Sequence, residues 1–535
     1  MSITMKRAYL GVRQRWLQHK SNQDILKISR DVMRKSPAAD RGTVVMFNAS
    51  TRITGISLNA AFSILTSWAL RLAGVRVFHL ACSSGMRQCV LGTNRNNLNE
   101  LPPCSRCIYQ STAVYASAET IWFPYQQDEN LAKALHGLDI DTYSKFIYKG
   151  FPLGRLVLPS IRWVLRRHNL IDDQSTRRLY QNYILSAWNV KQQFIEIIES
   201  ALPSVVILFN GMFFPEAVAR HICREKGIRC ISHEVGLQPL SAFFTDGEAT
   251  AYPIDIPVDF KMSAEQDRLL DDYLQQRFQG NFSMAGIRFW PEIKKLEQSF
   301  WDRARGFKQI VPIFTNVIFD TSQGHANVIF SDMFQWLETV KEIIHDHPDT
   351  LFVLRAHPDE SRSGKASRES VADWVKQNGL DKLENVLFVP PDAYFSSYEI
   401  ITNSKFVMVY NSTIGLEASL LGTAVLCGGK ARFTQVPTVF FPNTAAEYKK
   451  MAEDFLAMES ISVPPEFKEN ARKFLYYQVF KTSLPFNGFL RDDGIWPGYV
   501  KFNRFSLDML KPENSPTIKV LLDGILNNQA FLMDS

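Results

Sequence analysis

The chain has 535 residues, 46% hydrophobic and 21% charged, a globular composition too long for one ordinary core. Seven cysteines are too few for a disulfide scaffold, and the longest apolar stretches fall short of the ~20 residues that span a bilayer. Residues 1–36 hold nine Lys or Arg and two Asp, a net +7 against +6 for the whole chain, so the body is near neutral and a broad nucleic-acid footprint is excluded.

The first predicted element is an amphipathic helix. In "MKRAYLGVRQRWLQHK", Met5, Tyr9, Val12 and Trp16 follow a 4-3-4 spacing while Lys6, Arg13 and Lys20 recur every seven. One face is apolar and another basic, which suits an anionic leaflet or a docking face on the chain's own domain. No secretory signal with a clear hydrophobic core opens the chain, so the expected location is cytoplasmic, soluble or peripheral on the inner membrane.

A β-α-β unit follows, with strands in "GTVVMFNAS" and "VRVFHLAC" around the helix "GISLNAAFSILTSWALRLAG". Cys82, Cys89, Cys104 and Cys107 then cluster in "ACSSGMRQC" and "PPCSRC". The second pair has zinc-knuckle spacing and the first does not, so a structural metal and reduced thiols both stand, while no His- or carboxylate-rich set suggests a catalytic metal. Residues 125–200 read mainly as helices, after which "SVVILFNG", "PEAVARHICREKG" and "IRCISHE" resume the strand-helix-strand pattern. His233 and Glu234 sit just after that last strand, and Asp246 precedes Gly247 in what reads as the following loop. A carboxylate at a cleft edge can deprotonate a hydroxyl if burial raises its pKa. Glu234, anchored by a strand, is preferred to Asp246, which a simple turn also explains.

Residues 250–305 are irregular and then charged, as an interdomain region would be, and a second α/β series begins at "KQIVPIFTNVIFD". Within it, "HPDTLFVLRAHPDE" contains His-Pro-Asp twice. His347 ends an amphipathic helix carrying Trp336, Val340, Ile343 and Ile344, and Pro348 accounts for the stop. His357 instead follows the apolar strand "TLFVL" together with Arg355, at the sheet edge where α/β proteins bind ligands. In "FVMVYNSTIGLEASLLGTAVL", another buried strand delivers Asn411, Ser412 and Thr413 to the start of a helix. That arrangement favours a phosphate, although an ordinary helix cap uses the same residues. Glu417, a turn further on, is placed for ribose hydroxyls. Beyond about residue 465 the sequence is helical and aromatic-rich.

The Arg-x-His-Pro segment followed by Asn-Ser-Thr-x-Gly-x-Glu, with "FTNVIFD" upstream, resembles the capsule polysaccharide biosynthesis family, which includes CMP-Kdo-dependent transferases of GT-B fold. The likeness is best over residues 305–430 and weak in the first domain. It implies two Rossmann-type α/β domains facing a cleft, with a helical C-terminal segment. The expected divisions are a basic amphipathic segment 1–36, an acceptor-side domain 37–270, a nucleotide-sugar domain 305–465 and a helical segment 466–535. Donor binding then falls to Arg355, His357, Asn411, Ser412, Thr413 and Glu417, with His357 also assisting phosphate departure, and catalysis to Glu234 or Asp246. The expected activity is metal- and cofactor-independent transfer from a nucleotide sugar, CMP-linked in preference, to a glycan or lipid-linked acceptor. A nucleotide-sugar epimerase of the same fold and a catalytically inactive scaffold are the alternatives.

Overall fold

The computed structural model describes residues 3–49, 53, 55–279, 295–362, 366–495 and 497–534. Strands β1 (Thr43–Asn48), β2 (Arg76–Cys82), β3 (Glu119–Phe123), β4 (Val205–Phe209), β5 (Arg229–Val235) and β6 (Ser241–Asp246) belong to the first domain. The second contains β7 (Gln309–Phe314), β8 (Thr350–Arg355), β9 (Val386–Val389), β10 (Val407–Val409) and β11 (Val425–Cys427). The order β3-β2-β1-β4-β5 in one sheet is repeated as β9-β8-β7-β10-β11 in the other, and every neighbouring pair in these two runs is parallel. Two doubly wound sheets of identical order therefore face a shared cleft, the GT-B-like arrangement expected from the sequence.

The strands are apolar because both faces are covered. Val44 and Met46 enter one core while Val45 and Phe47 enter the other, so successive residues of β1 feed opposite sides of the sheet. In β8, Leu351 and Val353 likewise diverge from Phe352 and Leu354. A strand with one wet face would have shown polar residues at every second place.

"SAFFTD", read as a loop, is instead β6, which folds back antiparallel on β5. β6 is in turn paired by β12 (Leu484–Pro485), also antiparallel. The chain thus leaves the first domain after β6, builds the second, and returns. Residues 466–535 are helical for about half their length, with the helix Pro516–Leu526 packed on the first-domain core, and they also supply β12 and the hairpin Leu490–Asp492 with Tyr499–Phe502, which pairs Ile56–Ser57. The helix Ala264–Phe278 packs with the second-domain core through Leu270 and Leu274, and residues 280–294 lie outside the described residues.

The N-terminal helix Ile3–Lys35 is no loose arm. Ile25 and Val32 are fully buried in the core that contains Trp68, whereas Tyr9, Val12 and Trp16 stand in solvent; the side chains of Met5 and Lys6 lie outside the described set. Cys82, Cys89, Cys104 and Cys107 all line one small, largely apolar cavity. Burial pushes the Cys82 thiol up to about 12, and among the described residues no group of three or more His, Cys, Asp or Glu is arranged to hold a metal ion. Nor is any described helix long and apolar enough to cross a membrane.

Core truncation and surface truncation on the same helix should differ sharply. Ile25→Ala is expected to cost about 2–4 kcal/mol of first-domain stability by denaturant unfolding, and Trp16→Ala no more than about 0.5 kcal/mol.

Candidate functional site

Between the domains lies a cavity of about 600 Å³, within the range of small-molecule sites. Its walls are the carboxyl ends of β4 and β5 on one side and of β7, β8 and β10 on the other. Parallel sheets of this order splay their connections at β1/β4 and β7/β10; the second-domain lining lies at β7/β10, and the first-domain lining beside that point, at β4 and β5.

Glu234, the penultimate residue of β5, lines the first-domain wall. Its Oε2 accepts a hydrogen bond from Asn210 Nδ2 at 2.9 Å, and its Oε1 accepts from Asn59 Nδ2 at 3.2 Å and from the Val235 N–H at 3.0 Å. Burial raises the carboxyl's pKa, and these donors together with the Arg432 charge oppose the rise without cancelling it. Asn210 adopts a left-handed backbone, φ 62°, which Asn tolerates better than most residues and which turns its amide onto Glu234.

Asp246 does not join this site. Because β6 is antiparallel, Asp246 pairs with Ile231 and so lies several residues back from the β5 edge. Its side chain is 61% exposed and bonded to Arg229 Nε at 2.8 Å. His233 points away too, into a cluster of Phe62, Phe209 and Phe244, where burial lowers its pKa to about 3.

Arg355, at the end of β8, is buried in the opposite wall and donates through Nη1 to the Phe395 carbonyl at 2.9 Å and to the Ser397 hydroxyl. Burial lowers its pKa to about 10, so it remains a cation at neutral pH. His357 lines the cavity beside it and accepts the Asp359 N–H on Nδ1 at 3.1 Å, which places the neutral ring's proton on Nε2. Burial pulls the His357 pKa down, with Asp359 opposing and Arg355 reinforcing the shift. Ser412 and Thr413 reach the same cavity from the end of β10. Asn411 does not line it: its N–H donates to Asn316 Oδ1 at 3.1 Å and its Oδ1 accepts from Gln323, fastening the turn.

Glu417 borders the cavity but is already engaged. Its Oε1 accepts from Arg277 Nε at 3.0 Å and Nη2 at 2.5 Å, and its Oε2 accepts from Tyr398 at 2.6 Å. This buried ion pair ties the helix Ala264–Phe278 to the helix Ile414–Leu420, so the carboxylate expected to meet ribose already has protein partners at the cavity edge. Burial works against the Arg277 charge, yet Glu417 and the tyrosines hold its pKa above the ordinary value.

Asn59 and four further contributors were missed in the sequence. Asn210 was announced by Asn-Gly after a buried strand; Arg277 lies in an apparently ordinary charged helix; Tyr398 and Arg432 carried no local signal. Arg432 stacks 3.6 Å from the Tyr252 ring centroid, while Tyr252 donates its hydroxyl to the Val235 carbonyl next to Glu234. His347, by contrast, lies outside the cavity and meets Glu453 at 2.5 Å, as the helix-stop reading requires.

Residues 313–450 match the capsule polysaccharide biosynthesis protein family, a span that holds Arg355, His357, Ser412 and Thr413, so the resemblance carried by those motifs holds there. Protein FixF of Sinorhizobium fredii (strain NBRC 101917 / NGR234) is 27% identical over 227 residues, 42% of this chain and 48% of its own. The chain therefore spans about half the length of this curated relative. Among solved structures, the β-Kdo 2,4-transferase of Thermosulfurimonas dismutans KpsC is 12% identical with a TM-score of 0.35, over 58% of this chain and 87% of its own. UDP-GlcNAc 2-epimerase from Neisseria meningitidis is 11% identical with a TM-score of 0.24, over 81% and 95%.

Removing one member of the buried pair leaves the other charge uncompensated. Arg277→Ala should lower second-domain stability by about 3–5 kcal/mol in urea unfolding, and the double change Arg277→Met with Glu417→Leu should lower it by less.

Proposed function

We propose that the protein is a glycosyltransferase that moves a sugar from a nucleotide donor, CMP-linked in preference, onto a surface polysaccharide or glycolipid acceptor. The observation that carries this reading is the opposition, across one cavity, of a buried carboxyl on Glu234 to the cation and hydroxyl set of Arg355, His357, Ser412 and Thr413. A transferase needs both halves at once.

In this reading Arg355 and the two hydroxyls grip the donor phosphate, and the His357 Nε2–H donates to the phosphate oxygen that leaves. Glu234, ionised, takes the proton of an acceptor hydroxyl; that oxygen bonds to the anomeric carbon as the bond to phosphate breaks. The nucleotide departs with the bonding pair, its charge met by Arg355. Asn59 and Asn210 orient the carboxylate, and the partial burial that raises its pKa makes it a stronger base than an exposed Glu. The preference for CMP, and for a polysaccharide or glycolipid acceptor, rests on the resemblance of the motifs at residues 355–357 and 411–417 to the capsule family, whose model matches this span, not on a contact with a base.

The decisive measurement is binding of CMP, UDP, GDP and dTDP to the purified chain, followed by transfer assays with the nucleotide that binds. CMP is expected to bind first; UDP in its place would change the donor and keep the transferase, whereas sugar inversion without any acceptor would favour an epimerase. His357→Ala should lower turnover about 10²-fold or more with little loss of stability, while His347→Ala should stay within a few-fold of the parent. Because Glu234 acts ionised, the rate should rise with pH through a pKa above the ordinary carboxylate range. Glu234→Gln should remove that limb and slow transfer by about 10²–10⁴-fold with nucleotide affinity retained.

A further inference from the structure

Among the described residues, the face of the N-terminal helix turned away from the protein is exposed surface. At ~100° per residue, Tyr9, Val12, Trp16, Lys20, Lys27, Arg30 and Arg34 fall within an arc of about 80°. Leu10, Leu17, Ile25, Ile28 and Val32 lie on the far side, and Ile25 and Val32 are sealed into the core. Three large apolar side chains therefore protrude where nothing in the fold requires them: Tyr9 is 60% exposed, Val12 66% and Trp16 61%. Lone exposed apolar residues are ordinary, but these three are consecutive on one stripe. The adjoining helix Cys104–Val114, joined by a Gln18–Gln110 hydrogen bond of 2.6 Å, adds Tyr109 at 57% exposure, and Leu101 just before it is 83% exposed.

The charge on the same stripe selects the occupant. Lys20, whose ammonium lies 5.5 Å from the Trp16 ring centroid, is followed outward by Lys27, Arg30 and Arg34. Of the acidic residues, Asp31 pairs with Arg34 at 2.8 Å, and Asp24 sits on the flank of the arc. Apolar groups able to enter an acyl boundary, with cations spaced for headgroup phosphates beside them, match an anionic bilayer surface. A protein groove would take the apolar residues but would not need the row of cations.

We infer that this helix is a rigid spur that seats the protein on anionic lipid, with Tyr9, Val12 and Trp16 inserting and Lys20, Lys27 and Arg30 meeting headgroups. Because its second half is core, deleting residues 1–36 would unfold rather than release the protein, and point changes are the proper probe. The full-length chain should sediment with vesicles containing phosphatidylglycerol at low salt and not with pure phosphatidylcholine vesicles. Tyr9→Ser/Val12→Ser/Trp16→Ser should retain the parent melting temperature and partition at least about tenfold more weakly; Lys20→Gln/Lys27→Gln/Arg30→Gln should lose the salt-sensitive part. The inference is overturned if the parent stays in the supernatant with phosphatidylglycerol vesicles, if the apolar variant binds as the parent does, or if the variant instead abolishes a concentration-dependent dimer, which would assign the face to a second copy.

Discussion

The ion pair between Arg277 and Glu417 sets the electrostatics of the cleft. A carboxylate at the start of a helix that faces a cavity would repel a phosphate, and left alone there it would also be costly to bury. Arg277 neutralises it from a helix that precedes the second sheet, and Tyr398 takes its remaining oxygen. Arg355 is thereby left with hydrogen bonds to a carbonyl and a hydroxyl, neither of which cancels its charge. The second-domain wall thus keeps the buried guanidinium of Arg355 in the cavity that Ser412 and Thr413 reach, while the first-domain wall offers a carboxyl whose ionisation is held back. The difference between the walls is an asymmetry of charge set by a buried ion pair at the edge of the same cavity.

The sheets supply the distance across which that asymmetry operates. Each carries a functional residue in the last one or two places of a strand, where the ladder still aims the backbone and the side chain reaches the cleft. Glu234 and Arg355 illustrate the point from opposite domains. Contacts at the cleft margin hold the walls in register: His325 meets Glu248 at 2.9 Å, and Glu369 accepts from the His168 and Asn169 N–H groups at 2.8 and 3.0 Å.

Much of this was legible in the residue order because parallel strands covered on both faces announce themselves as short unbroken apolar runs. "TLFVL" and "KFVMVY" fall on β8 and β10, and the residues that follow them do reach the cavity. The two His-Pro-Asp copies were separable for the same reason, since one follows a helix and the other a strand. What escaped depended on contacts distant along the chain. Asp246 was placed near the cleft because the segment before Gly247 reads as a loop following the strand, and only its pairing with β5 reveals that the chain turns back. Glu417 was given a ligand because its partner Arg277 is 140 residues away. Arg432 and Tyr398 act through tertiary stacking and hydrogen bonding that no local pattern encodes.

The return of β12 to the first sheet gives the molecule an order of assembly. During synthesis β6 emerges as the edge of a sheet and stays uncovered on that side until residue 484 has left the ribosome, after the whole second domain has been made. An exposed edge is a template for wrong pairing. The second domain, whose strands are contiguous from 309 to 427, can complete itself first and present the C-terminal segment back to its neighbour. The N-terminal half made earliest is therefore finished last, and a chain arrested near residue 480 would hold a complete second-domain wall beside an unsealed first-domain one.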